Sequence, residues 1–479
     1  MKKIVFIDEQ LIKNNYNMKI NVHHPRNEKK IRDIFISKLD SKYQTYFTIV
    51  KKNNFYYLFY SDKPKENDNI WNQIGFYSGN FSYFEKGIDP LNFKDKKILS
   101  KEPIISHNIA PFLDEDENIK LIGGLHLSKK MYDSRILDKE DNIFLEYKGD
   151  KIVNPKKIQN KIKCNGIYLS DFENDECNIK YDLPIINGTN EGLIENRKGW
   201  VISEFDGRSL IVYFKKKYYI YVRCNYKSAE GSVGAGNFKK KTNVKGGGVR
   251  AIQYAVSSDL INWSEFKLIN INFDYDKDNI YFFGVQKYTD DILVSTFPYS
   301  NGKDGYIGVS FSYNGKDWTN IKKLINSKVS KSNIDRVIDF NIHQIIEYEN
   351  KLLFYIHRKY IWWEDRSTPA NISYMELPKD RLTSISSENG NFSIELENPT
   401  DSLVLNYKID INGYIKVQIE NNDNCTFDKF DKLENTNSIY SELKWNGNTI
   451  AKQSDSSFKS KIILNFRIKN SAIFCIYYN

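Results

Sequence analysis

Short apolar stretches separated by Asn, Asp, Gly and Lys recur along most of the chain. Stretches such as 55–60, 217–223 and 351–358 are rich in aromatic and β-branched residues, and helical periodicity is hard to find. Apolar strings of this length, bounded by turn-forming residues, are typical of β-strands. The pattern therefore predicts an all-β protein.

The predicted strands follow a repeated couplet. An apolar, aromatic strand such as 217–223 is followed by a strand that ends in a Ser-x-Asp…Trp type of turn, most clearly at 255–263 and 309–318. An Asx or Gly turn joins two outer strands, and the Trp packs against a neighbouring sheet. One four-stranded sheet cannot bury both faces alone, so stacked copies are needed. The couplets predict a five-bladed β-propeller with blades at about 36–100, 101–185, 186–275, 276–330 and 331–385.

From about residue 377 the pattern changes to regular apolar–polar alternation. Strands such as 414–419 and 461–468 alternate in this way, and the Ser-x-Asp…Trp turn does not recur. Half-buried alternation of this kind is typical of a β-sandwich. The predicted domains are thus a five-bladed propeller over 1–385 and a β-sandwich over 386–479.

Composition and charge exclude several classes of protein. Of the 479 residues, 40% are hydrophobic and 14% aromatic, which excludes a disordered or collagen-like chain. The net charge of +9 is diluted over a large surface, and the glycine-rich, lysine-rich segment 231–248 lacks the ending of a phosphate-binding loop. We therefore expect no nucleotide or nucleic-acid partner.

The cysteines and the chain's first residues bear on cofactors and location. Five scattered cysteines without a CxxC pair and six dispersed histidines predict no disulfide framework, no metal site and no cofactor. No apolar run approaches the roughly 20 residues that span a membrane. Asp8 and Glu9 end the initial apolar stretch before a signal peptide forms. Free thiols favour a reducing compartment such as the cytoplasm, with non-classical export as the alternative.

Several groups of motifs carry a family resemblance. They are 6–12 with 23–25, 106–114 with 121–124, 205–207 with 219–223 and 249–263, and 413–417 with 444–445 and 464–472. Together they resemble a widespread family of glycosidase-like proteins, in which a five-bladed propeller of the arabinanase and levansucrase type precedes a β-sandwich. The resemblance spans nearly the whole chain.

The resemblance implies a glycoside hydrolase that acts on a poly- or oligosaccharide in the funnel of the propeller. The chain departs from the family at two places. Asp40 stands where the family often has a Trp-Glu pair, and Ala251 replaces a frequent acid. The alternative is therefore a non-catalytic propeller that binds carbohydrate or forms part of a surface or particle.

Glycoside hydrolysis needs two carboxyl groups, one as acid for the leaving oxygen and one as nucleophile or base. Asp206, which comes just before a predicted strand of the third blade, is the first candidate. Asp40 precedes the first predicted strand of the first blade, and Asp339 opens the fifth blade. A turn carboxylate is the alternative for Asp206 and Asp40.

Sugars are held by aromatic rings and by Arg, Asn and His donors. The candidates for substrate binding lie near the ends of predicted strands: His107, Asn108, Arg208, Arg223, Arg250, His343, His357 and Arg358. Because side chains alternate along a strand, only one of His357 and Arg358 can face the ligand. Arg250 would bind a carboxylate or sulfate of an acidic sugar, or else bridge two blades. The expected partner is thus a carbohydrate, with an acidic sugar as one option.

Overall fold

The structure, a computed structural model, describes residues 2–34, 47–62, 81–100, 109–123, 147–148, 151–152, 166–180, 185–187, 208–225, 250–275, 277–330, 337–359, 370–399, 402–433, 436–453 and 461–479. The chain divides into two compact units. The smaller comprises Met1–Asn27, Glu347–Leu353 and Met375–Asn479, and the larger comprises Glu28–Ile346 and Phe354–Tyr374. Four strands come first along the chain: β1 (Lys2–Val5), β2 (Lys13–Tyr16), β3 (Lys19–Val22) and β4 (Arg26–Ile34).

The next strands form the first two blades of a propeller. Blade 1 contains β5 (Thr48–Lys52), β6 (Phe55–Asp62), β7 (Phe81–Gly87) and β8 (Lys94–Ser100). Blade 2 and its insertions contain β9 (Ala110–Leu113), β10 (Ile119–Gly123), the hairpin β11 (Tyr147–Lys148) and β12 (Lys151–Ile152), β13 (Gly166–Glu173), β14 (Glu176–Ile179) and β15 (Ile186–Asn187). Each blade is an antiparallel meander, with β9 and β14 at the two edges of blade 2.

Blades 3 to 5 repeat this arrangement. Blade 3 contains β16 (Leu210–Phe214), β17 (Lys217–Asn225), β18 (Arg250–Ser257) and β19 (Lys267–Leu268). Blade 4 contains β20 (Asn279–Ile280), β21 (Gly284–Lys287), β22 (Leu293–Ser300), β23 (Gly305–Ser312) and β24 (Lys322–Asn326). Blade 5 contains β25 (Phe340–Tyr348), β26 (Lys351–Arg358) and β27 (Ala370–Pro378), and β4 from the N-terminal part of the chain completes it.

The first strands of the five blades surround one axis. Strand β25 pairs in parallel with β5 where His343 lies opposite Thr48. Strand β5 contacts β9, β9 contacts β16, and β16 contacts β21. Gln286 of β21 donates a hydrogen bond to the carbonyl of Ile345 in β25 at 3.0 Å and so closes the ring. The predicted all-β, five-bladed propeller is confirmed.

The repeated turns fit their expected packing. Asp259 accepts hydrogen bonds from the main-chain N–H groups of Ile261 and Asn262 at 2.9 and 2.7 Å, which closes the turn after β18. Trp318 of blade 4 lies 5.8 Å from the ring of Tyr221 in blade 3. The aromatic residue of the couplet therefore fills the seam between two blades, where neither sheet could bury its face alone.

The remaining elements belong to the smaller unit: β28 (Thr383–Glu397), β29 (Leu403–Ile419), β30 (Asn437–Glu442), α1 (Ile450–Gln453) and β31 (Lys461–Tyr478). They form one sheet in the order β2-β28-β31-β29-β30, and β1 and β3 pair with β31 and β28. One apolar cluster includes residues from both halves of the long strands, such as Ile385 and Ile394 of β28. Both halves of these long strands therefore contribute side chains to one apolar core.

The segment 2–22 pairs with strands that lie far away along the chain. By position along the chain it belongs to the predicted propeller domain, 1–385. Its strands β1, β2 and β3 hydrogen-bond to β28 and β31 near the other end of the chain. The boundary between 385 and 386 stays a prediction. The one helix among the described residues is too short to cross a membrane.

Candidate functional site

Three arginines of blade 3 meet at the axial end where the inner strands begin. Arg208 lies two residues before the inner strand β16, Arg223 lies near the end of β17, and Arg250 begins β18. The antiparallel register places Arg250 opposite Asn225 and Ile252 opposite Arg223. All three side chains are buried, with at most 4% of their surface exposed. Strand alternation and register thus bring positive charge from separate stretches of chain into one place.

Two aromatic residues of blade 4 contact these arginines. The guanidinium carbons of Arg250 and Arg223 lie 5.5 and 5.9 Å from the ring centroid of Tyr281, and that of Arg208 lies 5.7 Å from Phe282. At these distances a cation is attracted by the electrons of the ring face. We call these five residues the arginine–aromatic cluster.

The cluster reaches the fifth blade through Phe340. The ring of Phe340 lies 5.0 Å from Tyr281 and 5.3 Å from Phe282. Phe340 begins β25, the inner strand of blade 5. The three buried rings therefore join blades 4 and 5, and two of them contact the arginines of blade 3.

Buried polar contacts hold the segment that carries Tyr281 and Phe282. The side-chain oxygen of Asn279 accepts the N–H of Arg250 at 2.9 Å. The carboxylate of Asp278 accepts the hydroxyl of Tyr299 at 2.7 Å, and burial together with this carboxylate raises the pKa of Tyr299. The ring of Tyr306 stacks on Tyr299 at 4.6 Å, and burial raises its pKa to about 12. Both phenols therefore stay neutral and act as hydrogen-bonding groups.

Asp339 and Arg358, two predicted site residues, are bound to each other. One Asp339 oxygen accepts Nη1 of Arg358 and the hydroxyl of Ser327, each at 2.8 Å, and the other accepts the main-chain N–H of Lys359 at 3.0 Å. Arg358 also donates to both oxygens of Glu28. This arrangement is an ion-pair network of blade 5, and a catalytic role of Asp339 stays a prediction.

His357 and Arg358 lie in different surroundings, as alternation along β26 requires. The ring of His357 is buried and lies 5.6 Å from Phe47, whose ring stacks on Tyr60 at 5.0 Å. The main chain of His343 marks the parallel contact between β25 and β5. The four other candidates fall outside the described residues: Asp40, His107, Asn108 and Asp206.

Sequence reasoning missed the aromatic half of the cluster and one buried carboxylate. Tyr281 and Phe282 belong to an aromatic run just before an inner strand, and in a chain with 29 Phe and 33 Tyr such a run does not distinguish them from core aromatic residues. Glu85 is 4% exposed and accepts Nη1 of Arg32 at 2.9 Å and the hydroxyl of Tyr60 at 2.6 Å. No local sequence pattern indicates Glu85, because its partner Arg32 lies on β4, far from Glu85 along the chain.

Across the described stretches, no group of three or more His, Cys, Asp or Glu side chains is arranged to hold a metal ion. The arginine–aromatic cluster offers cations and ring faces, which suit hydroxyl groups and anions rather than a metal cation.

The sequence matches no family model and no curated protein. Solved structures with a similar fold include a protein described as a glycoside hydrolase, at 10% identity and a TM-score of 0.42, over 78% of this chain and 94% of that one. A glycoside hydrolase family 43 arabinoxylan arabinofuranohydrolase from Bacillus subtilis, in complex with cellotetraose, is similar at 8% identity and a TM-score of 0.37, over 92% and 97%. A β-1,2-mannobiose phosphorylase from Listeria innocua is similar at 11% identity and a TM-score of 0.40, over 80% and 98%.

The structural neighbours thus include proteins described as glycoside hydrolases.

Proposed function

We propose that the protein is a glycosidase-like enzyme that binds a poly- or oligosaccharide at the axial end of the propeller and hydrolyses it with a carboxylate pair that includes Asp206. The observation that supports this proposal most directly is the arginine–aromatic cluster. Ring faces stack against the C–H faces of sugars, and guanidinium groups donate several hydrogen bonds in one plane to hydroxyl or carboxylate oxygens. The combination suits a sugar, and an acidic sugar best.

The position of Asp206 in the sequence connects this cluster to catalysis. Asp206 precedes Arg208 by two residues. Two residues along a chain span at most about 7 Å, so Asp206 lies within short reach of Arg208, whose guanidinium contacts Phe282. Nearby guanidinium charge favours the ionised form of a carboxyl group. Asp206 would therefore serve as the nucleophile or base.

The second carboxyl group would act as the acid. It gives a proton to the leaving glycosidic oxygen while the carboxylate attacks the anomeric carbon or activates a water for that attack. The candidates are Asp40 and Asp339. Asp40 is favoured, because both oxygens of Asp339 already accept hydrogen bonds, one from Arg358 and Ser327 and the other from the main chain of Lys359.

The engagement of Asp339 also supports a second candidate function, a propeller that binds carbohydrate without cleaving it. If Asp339 serves the fold and Asp40 lies in a turn, only one carboxylate remains. The arginine–aromatic cluster would then belong to the recognition site of an adhesin or of a larger particle.

A glycan-array screen followed by product analysis on every ligand tests the proposal. Wild type should release shorter saccharides, and Asp206→Asn should lose turnover by about a thousandfold or more while it keeps glycan affinity within a few-fold. Asp304→Asn, the same change at an exposed turn of blade 4, is the matched control and should behave as wild type. Undiminished turnover of Asp206→Asn would remove Asp206 from the mechanism. Binding without any product would favour the second candidate.

A further inference from the structure

A cleft in the smaller unit combines positive charge, amides and an apolar floor. Its volume is about 460 Å³, within the range of cavities that hold small molecules. Its walls come from the end of β3 and the start of β4, the turn after β25, the end of β27 with the turn that follows, and β31. We call it the β3–β31 cleft.

The charges that line the β3–β31 cleft are unequal. Three cationic side chains line it, Arg26, Lys351 and Arg381, against one carboxylate, Glu376. That carboxylate is already engaged, because one oxygen accepts Nζ of Lys351 at 3.0 Å and the other accepts the Asn27 amide at 3.4 Å. The charge of Lys351 is thus balanced, whereas those of Arg26 and Arg381 add to the field in the cleft.

Arg381 is the buried member of this set, with 7% of its surface exposed. Its Nε donates to the amide oxygen of Asn406 at 2.8 Å, and its Nη2 donates to the carbonyls of Tyr407 and Ser438, both at 3.1 Å. These three acceptors are neutral. The guanidinium lies 4.5 Å from the ring of Phe474, which lines the same cleft. Dipoles and a ring face therefore hold a fixed positive charge at the wall of a cavity.

Neighbouring carboxylates are turned to other partners. Asp380 accepts Nζ of Lys3 at 2.7 Å and the hydroxyl of Tyr477 at 2.5 Å. Glu347 pairs with Lys379. Neither residue lines the cleft, so neither reduces its positive charge by direct pairing.

The pKa of His23 responds to burial and to the positive charges that line the cleft. Its Nε2 shares a hydrogen bond of 2.8 Å with the Ser384 hydroxyl, and its ring lies 5.1 Å from Phe474. Burial first, and then the positive charges around it, lower the pKa of His23 to about 4. The imidazole is therefore neutral near pH 7, where it can exchange hydrogen bonds with a ligand hydroxyl.

We propose that the β3–β31 cleft binds an acidic sugar, whose anionic group lies between Arg26 and Arg381. The amides of Asn27 and Asn350 and the ring of His23 would bond its hydroxyl groups, and Leu377 and Pro378 would contact its apolar face. This site belongs to the smaller unit and does not depend on catalysis in the propeller. It would give the protein a second contact with an acidic polysaccharide.

Titration calorimetry with glucuronate at low ionic strength tests this inference, with glucose as the neutral control and inorganic sulfate as the ion alone. Glucuronate should bind, glucose should bind at least about tenfold more weakly, and added salt should weaken glucuronate binding several-fold. Sulfate that binds as tightly as glucuronate would show a site for an ion rather than for a sugar, which overturns the proposal. Equal binding of glucose would do the same, and so would no binding of glucuronate at millimolar concentration.

Two variants locate the site. Arg26 is exposed, so Arg26→Gln should leave the fold intact and weaken glucuronate binding by about three- to tenfold. Lys416→Gln, at an exposed position of β29, is the matched control and should bind as wild type. Arg381→Lys keeps the charge but loses the planar fork, and should weaken binding about tenfold. If Arg381→Lys does not fold, the affinity of Arg26→Gln for glucuronate is the test. An unchanged affinity in Arg26→Gln would overturn the proposal.

Discussion

Glu28 and Arg358 form a two-point ion pair that links β4, from the N-terminal part of the chain, to β26 within blade 5. Nε and Nη2 of Arg358 donate to the two Glu28 oxygens at 2.8 and 2.7 Å. The hydrogen bonds to Arg358 lower the pKa of Glu28. Because β4 is the strand that completes the fifth blade, this pair fastens the closure of the propeller.

We expect Glu28→Gln to lower the free energy of unfolding by about 1 kcal/mol, since the pair is bidentate but partly exposed. The folded-state pKa of Glu28 is depressed, so its contribution is present above the unfolded value of 4.5 and is lost as the pH falls through the folded value. Denaturant unfolding at pH 7 and pH 3 measures both effects. Asp33→Asn, on the same strand and paired with the exposed Lys30, is the control and should change stability by less than about 0.5 kcal/mol. A loss that is equal at both pH values would contradict the assignment.

Asp339→Asn should destabilise the protein more strongly, by about 2 to 4 kcal/mol, because it leaves the half-buried Arg358 with one carboxylate fewer. Thermal or denaturant unfolding gives this number. Turnover per folded molecule then separates two roles. A structural Asp339 would leave turnover within a few-fold of wild type, whereas a catalytic one would reduce it by orders of magnitude.

Tyr281 should contribute to glycan affinity through its ring. Tyr281→Leu keeps much of the volume but removes the ring face near Arg223 and Arg250, so affinity should fall about tenfold. Tyr281→Phe retains the ring and is the matched control, with affinity within about threefold of wild type. Binding measured with a glycan from the array would decide. Equal affinity of the Leu and Phe variants would remove Tyr281 from the binding surface.

Gly315 allows the seam between blades 3 and 4 to close. Its φ is +75°, and a Cβ atom there would lie 2.8 Å from the ring of Tyr219. Gly315→Ala should therefore cost about 2 to 4 kcal/mol, the sum of left-handed backbone strain and steric overlap. Gly447 has a φ of +77° with nothing within 4 Å of such a Cβ, so Gly447→Ala isolates the backbone part at about 1 kcal/mol. Similar losses in both variants would show that the overlap at Tyr219 is relieved.

His23 should make stability depend on pH in a defined window. Its pKa falls from 6.5 to about 4 on folding, so the unfolded chain binds the proton more tightly and stability declines as the pH drops from 6.5 towards 4. His23→Gln removes this dependence, and wild type should lose about 1 to 2 kcal/mol more than the variant between pH 7 and pH 4.5. Urea unfolding at the two pH values provides the measurement. Parallel losses in the two proteins would contradict the lowered pKa.

Part of the architecture was predictable, because it depends on contacts near in sequence. The turn after β18, in which Asp259 bonds the N–H groups of Ile261 and Asn262, involves residues three positions apart or fewer. In its copy before Trp318, Asn314 accepts the N–H groups of Lys316 and Asp317 in the same way, so the repeat is visible in the chain as an Asx residue two positions after a Ser. The partner of β4 was not predictable, because β4 pairs with β27, hundreds of residues later.

The candidate site was predictable only in its polar half. Arg208, Arg223 and Arg250 stand at strand ends, where charged residues among apolar strings attract notice. Tyr281 and Phe282 stand in an aromatic chain of 29 Phe and 33 Tyr, where two more rings carry no signal. Only the placement of blade 4 beside blade 3 distinguishes these rings from those of the blade cores.

By itself, the sequence determined the strands, their turns and the number of blades, because alternation and turn chemistry act between neighbouring residues. The tertiary structure alone decided which side chains meet. Packing of blade 4 against blade 3 brings Arg250 onto Tyr281, and pairing of β25 with β26 places Asp339 beside Arg358. The folding of the N-terminal strands into the C-terminal sheet places His23 beside Phe474. These contacts join residues whose separation along the chain says nothing of their distance in space, since sheet register and blade order set that distance.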